Sequence, residues 1–110
     1  MDLAVEAYRV TDCLPHAERF GLRDQARRAA VSIPANIAEG VGRGTTPEFI
    51  RSLFISNGSL KELETDLELG RRLEFYGDAE AREAFRLAEE VGKLIGALIR
   101  SLRRREPRSR

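Results

Sequence analysis

Apolar side chains recur at three- and four-residue steps through four separate stretches of the chain, which is the spacing of an amphipathic α-helix. The first stretch runs from Asp2 to Leu14, where Leu3, Ala7 and Val10 share one face. It is expected to end before Pro15, because the residue that precedes a proline avoids the α region. The sequence therefore predicts a short first helix.

The second stretch begins near Leu22 and carries a proline in its interior. Its apolar side is formed by Leu22, Ala26, Ala29, Ala30, Ile33, Ile37 and Val41. Pro34 cannot donate a bond to the carbonyl of Ala30, which predicts a kink and a cost of about 3 kcal/mol in an unsupported helix. Two shorter helices that meet at Ser32, with Pro34 in the first turn of the second, are the alternative, and both interpretations stay open.

The third stretch has a clear start and a long seam. Gly40, Gly42 and Gly44 precede Thr46-Pro47-Glu48, a run that supplies a capping hydroxyl, a proline at the first helical position and an acid in the first turn. A seam of alternating four- and three-residue steps follows, through Phe49, Leu53, Ser56, Leu60, Leu63, Leu67 and Gly70. Ile50 and Phe54 lie beside it, so the apolar arc is wider than one partner helix needs.

The fourth stretch follows Asp78, a candidate helix cap. Three sets of residues recur along it at helical spacing. Its apolar side carries Phe85, Ala88, Val91, Ile95, Leu98 and Leu102, its flanking strip carries Leu87 and Leu94, and its small residues are Ala84, Ala88, Gly92 and Gly96. Interior glycines cost about 1 kcal/mol each, so the small residues predict close backbone approach. The whole pattern predicts an all-α protein, an antiparallel up-down four-helix bundle over residues 1–102 with a basic tail over residues 103–110.

Charge is nearly balanced overall but unevenly distributed along the chain. The 110 residues include 19 Lys+Arg and 18 Asp+Glu, yet residues 100–110 hold six arginines and one acid. A single cysteine, Cys13, excludes an intramolecular disulfide framework, and no apolar run approaches the roughly 20 residues that span a bilayer. These features predict a cytoplasmic protein with no membrane partner.

The titratable residues do not form a recognisable catalytic or metal-binding set. Cys13 and His16 are the only soft ligands, and no further cysteine or histidine completes a tetrahedral site. The acids Glu62, Glu64, Asp66 and Glu68 are spaced two residues apart, so a helix scatters them over several faces. We therefore expect no enzyme activity, no metal and no cofactor.

Two polar groups have both a functional and a structural interpretation. Asn36, Glu39 and Arg43 lie on the helix of Pro34 and either contact a ligand or form an intrahelical Glu39–Arg43 pair with Asn36 bonded to backbone. The arginines are the stronger candidates for binding nucleic acid: Arg23, Arg27 and Arg28, and in the tail Arg103, Arg104 and Arg105. Salt bridges to the acidic third helix are their structural interpretation. No aromatic residue interleaves with either group, so base stacking is not predicted.

Three runs also resemble a known family. They are Phe20 to Gly40, which contains Ser32-Ile-Pro-Ala-Asn-Ile-Ala-Glu-Gly40, then Glu48-Phe-Ile-Arg-Ser-Leu53, and Gly58 to Leu69. Together they resemble the 23S rRNA-intervening-sequence proteins over about residues 3–100. Family members often carry a tryptophan-containing segment before the position of Asp2, which is absent here, so the first helix is expected to be short.

This resemblance implies a bundle that assembles into a ring-shaped homopentamer and implies no enzymatic activity. It also implies a distant kinship with accessory proteins of diversity-generating retroelements, which bind nucleic acid and a reverse transcriptase. We therefore expect a bacterial, non-enzymatic, oligomeric module that binds or scaffolds RNA or DNA. A protein–protein adaptor with no nucleic-acid role is the alternative.

Overall fold

Four α-helices build the molecule, and a short 3₁₀ helix lies between the first two. The computed structural model describes residues 1–18 and 21–105. The helices are α1 (Asp2–Thr11), α2 (Leu22–Gly42), α3 (Thr46–Arg72) and α4 (Asp78–Arg105), and the 3₁₀ helix spans His16–Glu18. Arg19, Phe20 and the tail residues 106–110 lie outside the described residues.

The helices pack as a bundle around one core. α2 packs against α3, α3 against α4, α1 against α2, and α1 against α4. α2 and α3 run in opposite directions. Ser32 of α2 bonds Ser59 of α3, whereas Gly40, further along α2, lies beside Ser52, which comes earlier in α3. The core contains the seam predicted on α3, with Leu53, Leu60, Leu63 and Leu67 fully buried. The all-α four-helix prediction is confirmed.

α2 runs through Pro34 as one continuous helix. The alternative of two helices meeting at Ser32 was therefore wrong, and the kink at Pro34 stays a prediction. α3 supports this region from the side: the Ser56 hydroxyl donates to the carbonyl of Ile33 at 2.9 Å, and the Ser32 and Ser59 hydroxyls bond each other at 2.9 Å. Tertiary bonds of this kind offset the backbone bond that proline removes.

Three helix ends differ from the prediction by a few residues. α1 ends at Thr11 rather than Leu14, because Cys13 and Leu14 already donate to carbonyls three residues back, in a tighter turn before Pro15. The hydroxyl that caps α3 belongs to Thr45, not Thr46, and accepts the Glu48 amide at 3.4 Å. Asp78 is the first residue of α4, and the Glu80 carboxylate accepts the Gly77 amide at 2.7 Å.

α1 is much shorter than the other three helices. It has 10 residues, whereas α2 has 21 and α4 has 28. Arg9 of α1 donates to the backbone carbonyl of Glu80, and Asp2 and Val5 lie beside Leu87. α1 therefore lies beside the first part of α4.

Candidate functional site

Charge is divided between the two ends of the bundle. Two neighbouring contacts define a plane across the bundle. Ser32 of α2 bonds Ser59 of α3, and Leu60 of α3 lies beside Gly92 of α4. On one side of this plane lie residues 32–59 and 93–105, which we call the basic half: seven basic and two acidic residues, a net +5. On the other side lie residues 1–18, 21–31 and 60–92, the acidic half: nine basic and fifteen acidic residues, a net −6.

Most arginines of the acidic half are held by carboxylates. Glu68 accepts bonds from both Arg71 and Arg72, at 2.7 and 2.9 Å, which lowers the pKa of Glu68 to about 2. The Arg86 guanidinium bonds Glu83 at 2.6 Å and also pairs with Glu90. These pairs occupy three arginines of this half within their own helices, whereas Arg28 and Arg82 are exposed and have no ion pair with a described residue.

Most arginines of the basic half have no carboxylate beside them. Arg43 is the exception, because Glu39 and Glu48 lie 3.7 and 3.5 Å from its guanidinium. Over the part of the chain that the structure describes, no carboxylate lies within 4 Å of the five others, which are Arg51, Arg100, Arg103, Arg104 and Arg105. All five are exposed.

The two groups of arginines predicted as phosphate contacts therefore lie apart. Arg23 and Arg27 belong to the acidic half and both face Asp12, at 3.7 and 2.7 Å. Arg28 is exposed in the same half and shares a shallow pocket with Tyr8 and Asp24. Arg103–Arg105 form the last turn of α4 in the basic half. Phosphate binding by either group stays a prediction, and the two groups do not form one surface.

Arg27 is built into the contact between α1 and α2. Its guanidinium donates to the Thr11 hydroxyl at 2.9 Å, the Tyr8 carbonyl at 3.1 Å and the Asp12 carboxylate at 2.7 Å. It also lies 4.4 Å from the centre of the Tyr8 ring, and its side chain is only 16% exposed. These contacts favour a structural role for this arginine.

The polar motif of α2 also makes contacts within the fold. The Asn36 amide donates to the carbonyl and the hydroxyl of Ser32, both at 2.8 Å, and Ser32 in turn bonds Ser59 of α3. The Glu39–Arg43 pair expected from the spacing is present, with both side chains more than half exposed. The motif thus links α2 to α3, and exposed pairs of this kind contribute little stability.

A groove of about 780 Å³ runs between α3 and α4 from the acidic half into the basic half. Its floor is formed by Ala88, Gly92, Gly96, Ile95 and Ile99, and its rim carries Lys61, Lys93, Arg100 and Arg103. The predicted close approach of the small-residue line holds at Gly92, where an added Cβ would lie 3.3 Å from Leu60. At Gly96 an added Cβ would meet only Arg100 of its own helix, so the floor opens there.

One feature of this groove is absent from the sequence prediction. Phe54 of α3 lies at the basic end of the groove and is 46% exposed. The Arg103 guanidinium lies 5.1 Å from the centre of the Phe54 ring. The two residues are far apart in the chain, so no local spacing indicates the pair. The only signal in the sequence is that Phe54 falls outside the predicted seam of α3.

The remaining chemical candidates are not brought together. Cys13 is exposed with a free thiol, and His16 lies in the 3₁₀ helix. Among the described residues no group of three or more His, Cys, Asp or Glu side chains is placed to hold a metal ion. Within that part of the chain no helix combines the length and the apolar character needed to cross a membrane.

The fold and its polar features define a class: a four-helix bundle with segregated charge and an open groove. A model of the 23S rRNA-intervening sequence protein family matches residues 1–97. This chain belongs to that family. A crystal structure of a protein of unknown function from the S23 ribosomal protein family of Bacteroides thetaiotaomicron is similar, with 27% identity and a TM-score of 0.81, covering 89% of this chain and 92% of that one. No curated protein matches the chain.

Proposed function

We propose that this protein is a non-enzymatic module that binds nucleic acid through the basic half of its bundle. The observation that carries the proposal is the group of five exposed arginines without a carboxylate neighbour among the described residues, in a half with net charge +5. Lys and Arg groups that neutralise phosphates release counterions, which supplies most of the sequence-independent affinity. Arg51, Arg100 and Arg103–Arg105 are the proposed phosphate contacts.

The acidic half supports the same proposal by orienting the molecule. A polyanion is attracted to one end of the 54 Å bundle and repelled by the other. The family description names a ribosomal RNA sequence, which is in keeping with a role close to nucleic acid. The charge pattern is independent of that description.

We also propose that several copies of the chain associate, and that they do so through an uncovered strip on α4. This strip consists of Leu87, Val91, Leu94 and Leu98, which follow the four- and three-residue steps of a helix seam. Leu94 is 63% exposed and Leu98 40% exposed, whereas Leu87 and Val91 are partly buried. Association would bring several basic halves together and raise their affinity for one polyanion through multivalency.

Filter binding with salt titration tests the nucleic-acid proposal. The logarithm of the binding constant is expected to fall linearly with the logarithm of salt concentration. If five arginines engage phosphates, the slope is about −3.5 for a single strand and about −4.5 for duplex DNA. A triple variant Arg103→Gln, Arg104→Gln, Arg105→Gln should reduce this slope. The charge-matched control Arg71→Gln, Arg72→Gln, Arg86→Gln removes three arginines of the acidic half and should keep it. Wild type that binds nothing at about 50 mM salt would refute the proposal.

A protein–protein adaptor is the second candidate, and the same uncovered strip favours it, because exposed leucines at helix spacing also suit a different protein. Pull-down from a nuclease-treated lysate separates the two functions. An adaptor keeps its partner after the nuclease, whereas a partner held through RNA or DNA is lost.

A further inference from the structure

The α3–α4 groove contains an aromatic side chain beside an arginine that has no ion pair with any described residue. Phe54 is 46% exposed, and the Arg103 guanidinium lies over its ring. Arg100, another exposed arginine, lines the same groove. An aromatic face next to arginines is the arrangement that binds unstacked bases together with their phosphates.

The Phe54–Arg103 pair differs from the other arginine–aromatic pair found among the described residues. Arg27 over Tyr8 is fixed by three hydrogen bonds and is mostly buried. Arg103, in contrast, is exposed, and within residues 1–18 and 21–105 it has neither a hydrogen bond nor an ion pair. Both pairs join two helices, but only the second has a cation with no hydrogen bond or ion pair to a described residue, which leaves it available to an incoming phosphate.

The charges of the groove also fit a polyanionic strand. Four cations stand on its rim, and the two carboxylates there are each paired with a lysine: Glu64 with Lys61 and Glu89 with Lys93, both at 3.4 Å. Among residues 1–18 and 21–105, no carboxylate pairs with the two arginines at the basic end. A strand lying in the groove would therefore meet neutralised acids first and unpaired arginines at the end that holds Phe54.

A duplex does not satisfy these features as well as a single strand does. Bases in the interior of a duplex are stacked on both faces, so only a terminal pair offers a face to Phe54. Gly96 adds no side chain to the floor of the groove, so the Arg100 guanidinium, 3.4 Å from the position of an added Cβ, borders the space there. A flexible single strand can place a base there and keep its phosphates at the rim.

We propose that the α3–α4 groove binds single-stranded nucleic acid, with one base replacing the Arg103 guanidinium on the face of Phe54 and the flanking phosphates on Arg100 and the displaced Arg103. The inference rests on the proposed function and adds the form of nucleic acid and the residue that selects it. It makes Phe54 the determinant of preference for single strands, whereas the arginines supply affinity for both forms.

Fluorescence anisotropy with short labelled oligouridylate and oligothymidylate, each alone and as a duplex with its complement, tests this inference on the full chain. Phe54→Leu keeps an apolar side chain but removes the aromatic face, and is expected to weaken single-strand binding roughly 5- to 100-fold while duplex binding stays unchanged. Phe54→Trp should restore or strengthen single-strand binding. Tyr8→Leu is the matched control, since it removes the other aromatic partner of an arginine, and should change neither form.

Two results would overturn the inference without affecting the proposed function. One is a Phe54→Leu variant that binds single strands as tightly as wild type. The other is a Phe54→Leu variant whose mass in solution falls while single-strand binding persists, which would assign the groove to a second copy of the chain. Wild type that binds no form of nucleic acid at low salt would remove the proposed function itself. Thermal melting of each variant confirms that the bundle is intact.

Discussion

At the scale of single residues, the same side-chain type has different roles in the two halves of the bundle. Arg27 and Arg104 are both arginines that the sequence marks as candidate phosphate contacts. Arg27 donates three hydrogen bonds between α1 and α2, whereas Arg104 is exposed and has no partner among the described residues. Spacing along one helix indicates a shared face but does not reveal which acid of another helix comes close.

Arg27→Gln is expected to lower the free energy of unfolding by about 1–3 kcal/mol, because hydrogen bonds that involve a charged group contribute about that much. It should leave affinity for nucleic acid unchanged. Arg104→Gln should lower the affinity for nucleic acid and leave the free energy of unfolding unchanged. Urea denaturation and filter binding of both variants measure the two effects, and an Arg27 variant that binds less while unfolding normally would count against this division.

Asp66 is a second residue whose role depends on burial. It faces the interior of the bundle with 7% exposure, and its Oδ2 atom is buried without a hydrogen-bond partner. Burial, and then the charge of Glu62, raises the pKa of Asp66 to about 6. Because the pKa in the unfolded chain is about 3.9, the folded state retains the proton over a range in which the unfolded state releases it. The folded protein therefore loses stability as pH rises from about 4 to about 6, and the loss is complete above that range.

Replacing Asp66 by Asn removes this titration. The stability of Asp66→Asn relative to wild type should increase by about 2 kcal/mol between pH 4 and pH 7. Glu68 contributes in the opposite sense and in a lower window, since its pKa of about 2 means that its stabilisation is lost as pH falls from about 4.5 towards 2. Urea unfolding of wild type and of Asp66→Asn at pH 4 and pH 7 measures this change. If the stability difference between the two proteins is the same at both pH values, the raised pKa of Asp66 is contradicted.

At the scale of elements, the sequence pattern predicted the four helices and the seam of α3, because three- and four-residue periodicity reports directly on burial. It placed helix ends less well. The cap of α3 is Thr45 although Thr46 stands next to it with the same hydroxyl, and only the backbone conformation of Thr45, φ −119° and ψ 148°, separates them. The shared surface of α3 and α4, which contains Phe54 and Arg103, depends on tertiary contacts and could not be predicted.

Glycines within the helices show how closely the elements approach. A Cβ added to Gly40 would lie 2.6 Å from the Ser52 Cβ, so α2 and α3 meet there with no space for a side chain. A Cβ added to Gly58 would meet nothing within 4 Å. These two positions differ in tertiary contact while both are helical.

Gly40→Ala is expected to destabilise the protein by about 1–3 kcal/mol, because the helices must separate to admit the methyl group. Gly58→Ala should stabilise it by about 0.5–1 kcal/mol, since alanine is the better helix former and its methyl group enters open space. Thermal unfolding of the two variants provides the comparison. Equal effects of the same sign would mean that α2 and α3 do not approach closely at Gly40.

At the scale of the whole molecule, the arrangement of charge is the property that the linear sequence conceals. The totals differ by one charge, and the basic half combines two segments, residues 32–59 and 93–105, that only folding brings together. The sequence indicated a basic C-terminus but grouped it with Arg23 and Arg27, which lie in the other half. Of the apolar positions expected to remain uncovered, Ile50 is buried and Leu87 partly buried, whereas Phe54 and Leu94 are exposed.

The exposed part of the uncovered strip leads to a prediction about mass. Light scattering of the wild type should give a multiple of 12.4 kDa, and five copies is the number that the family resemblance implies. Leu94→Glu should reduce the mass, because burying a charged side chain in an apolar contact between chains costs free energy. Glu90→Gln, an exposed change on the polar side of α4, should leave the mass unchanged. A wild-type protein that is monomeric at all concentrations would refute the association.

The central claim is that nucleic acid binds at one end of this bundle, and ultraviolet cross-linking followed by mass spectrometry tests it most directly. The full chain is irradiated with a bound oligouridylate and digested, and the cross-linked peptides are identified. The account predicts cross-links within residues 46–59 and 93–105, with Phe54 among them. Cross-links concentrated around Arg23–Arg28, or spread evenly over both halves, would contradict it.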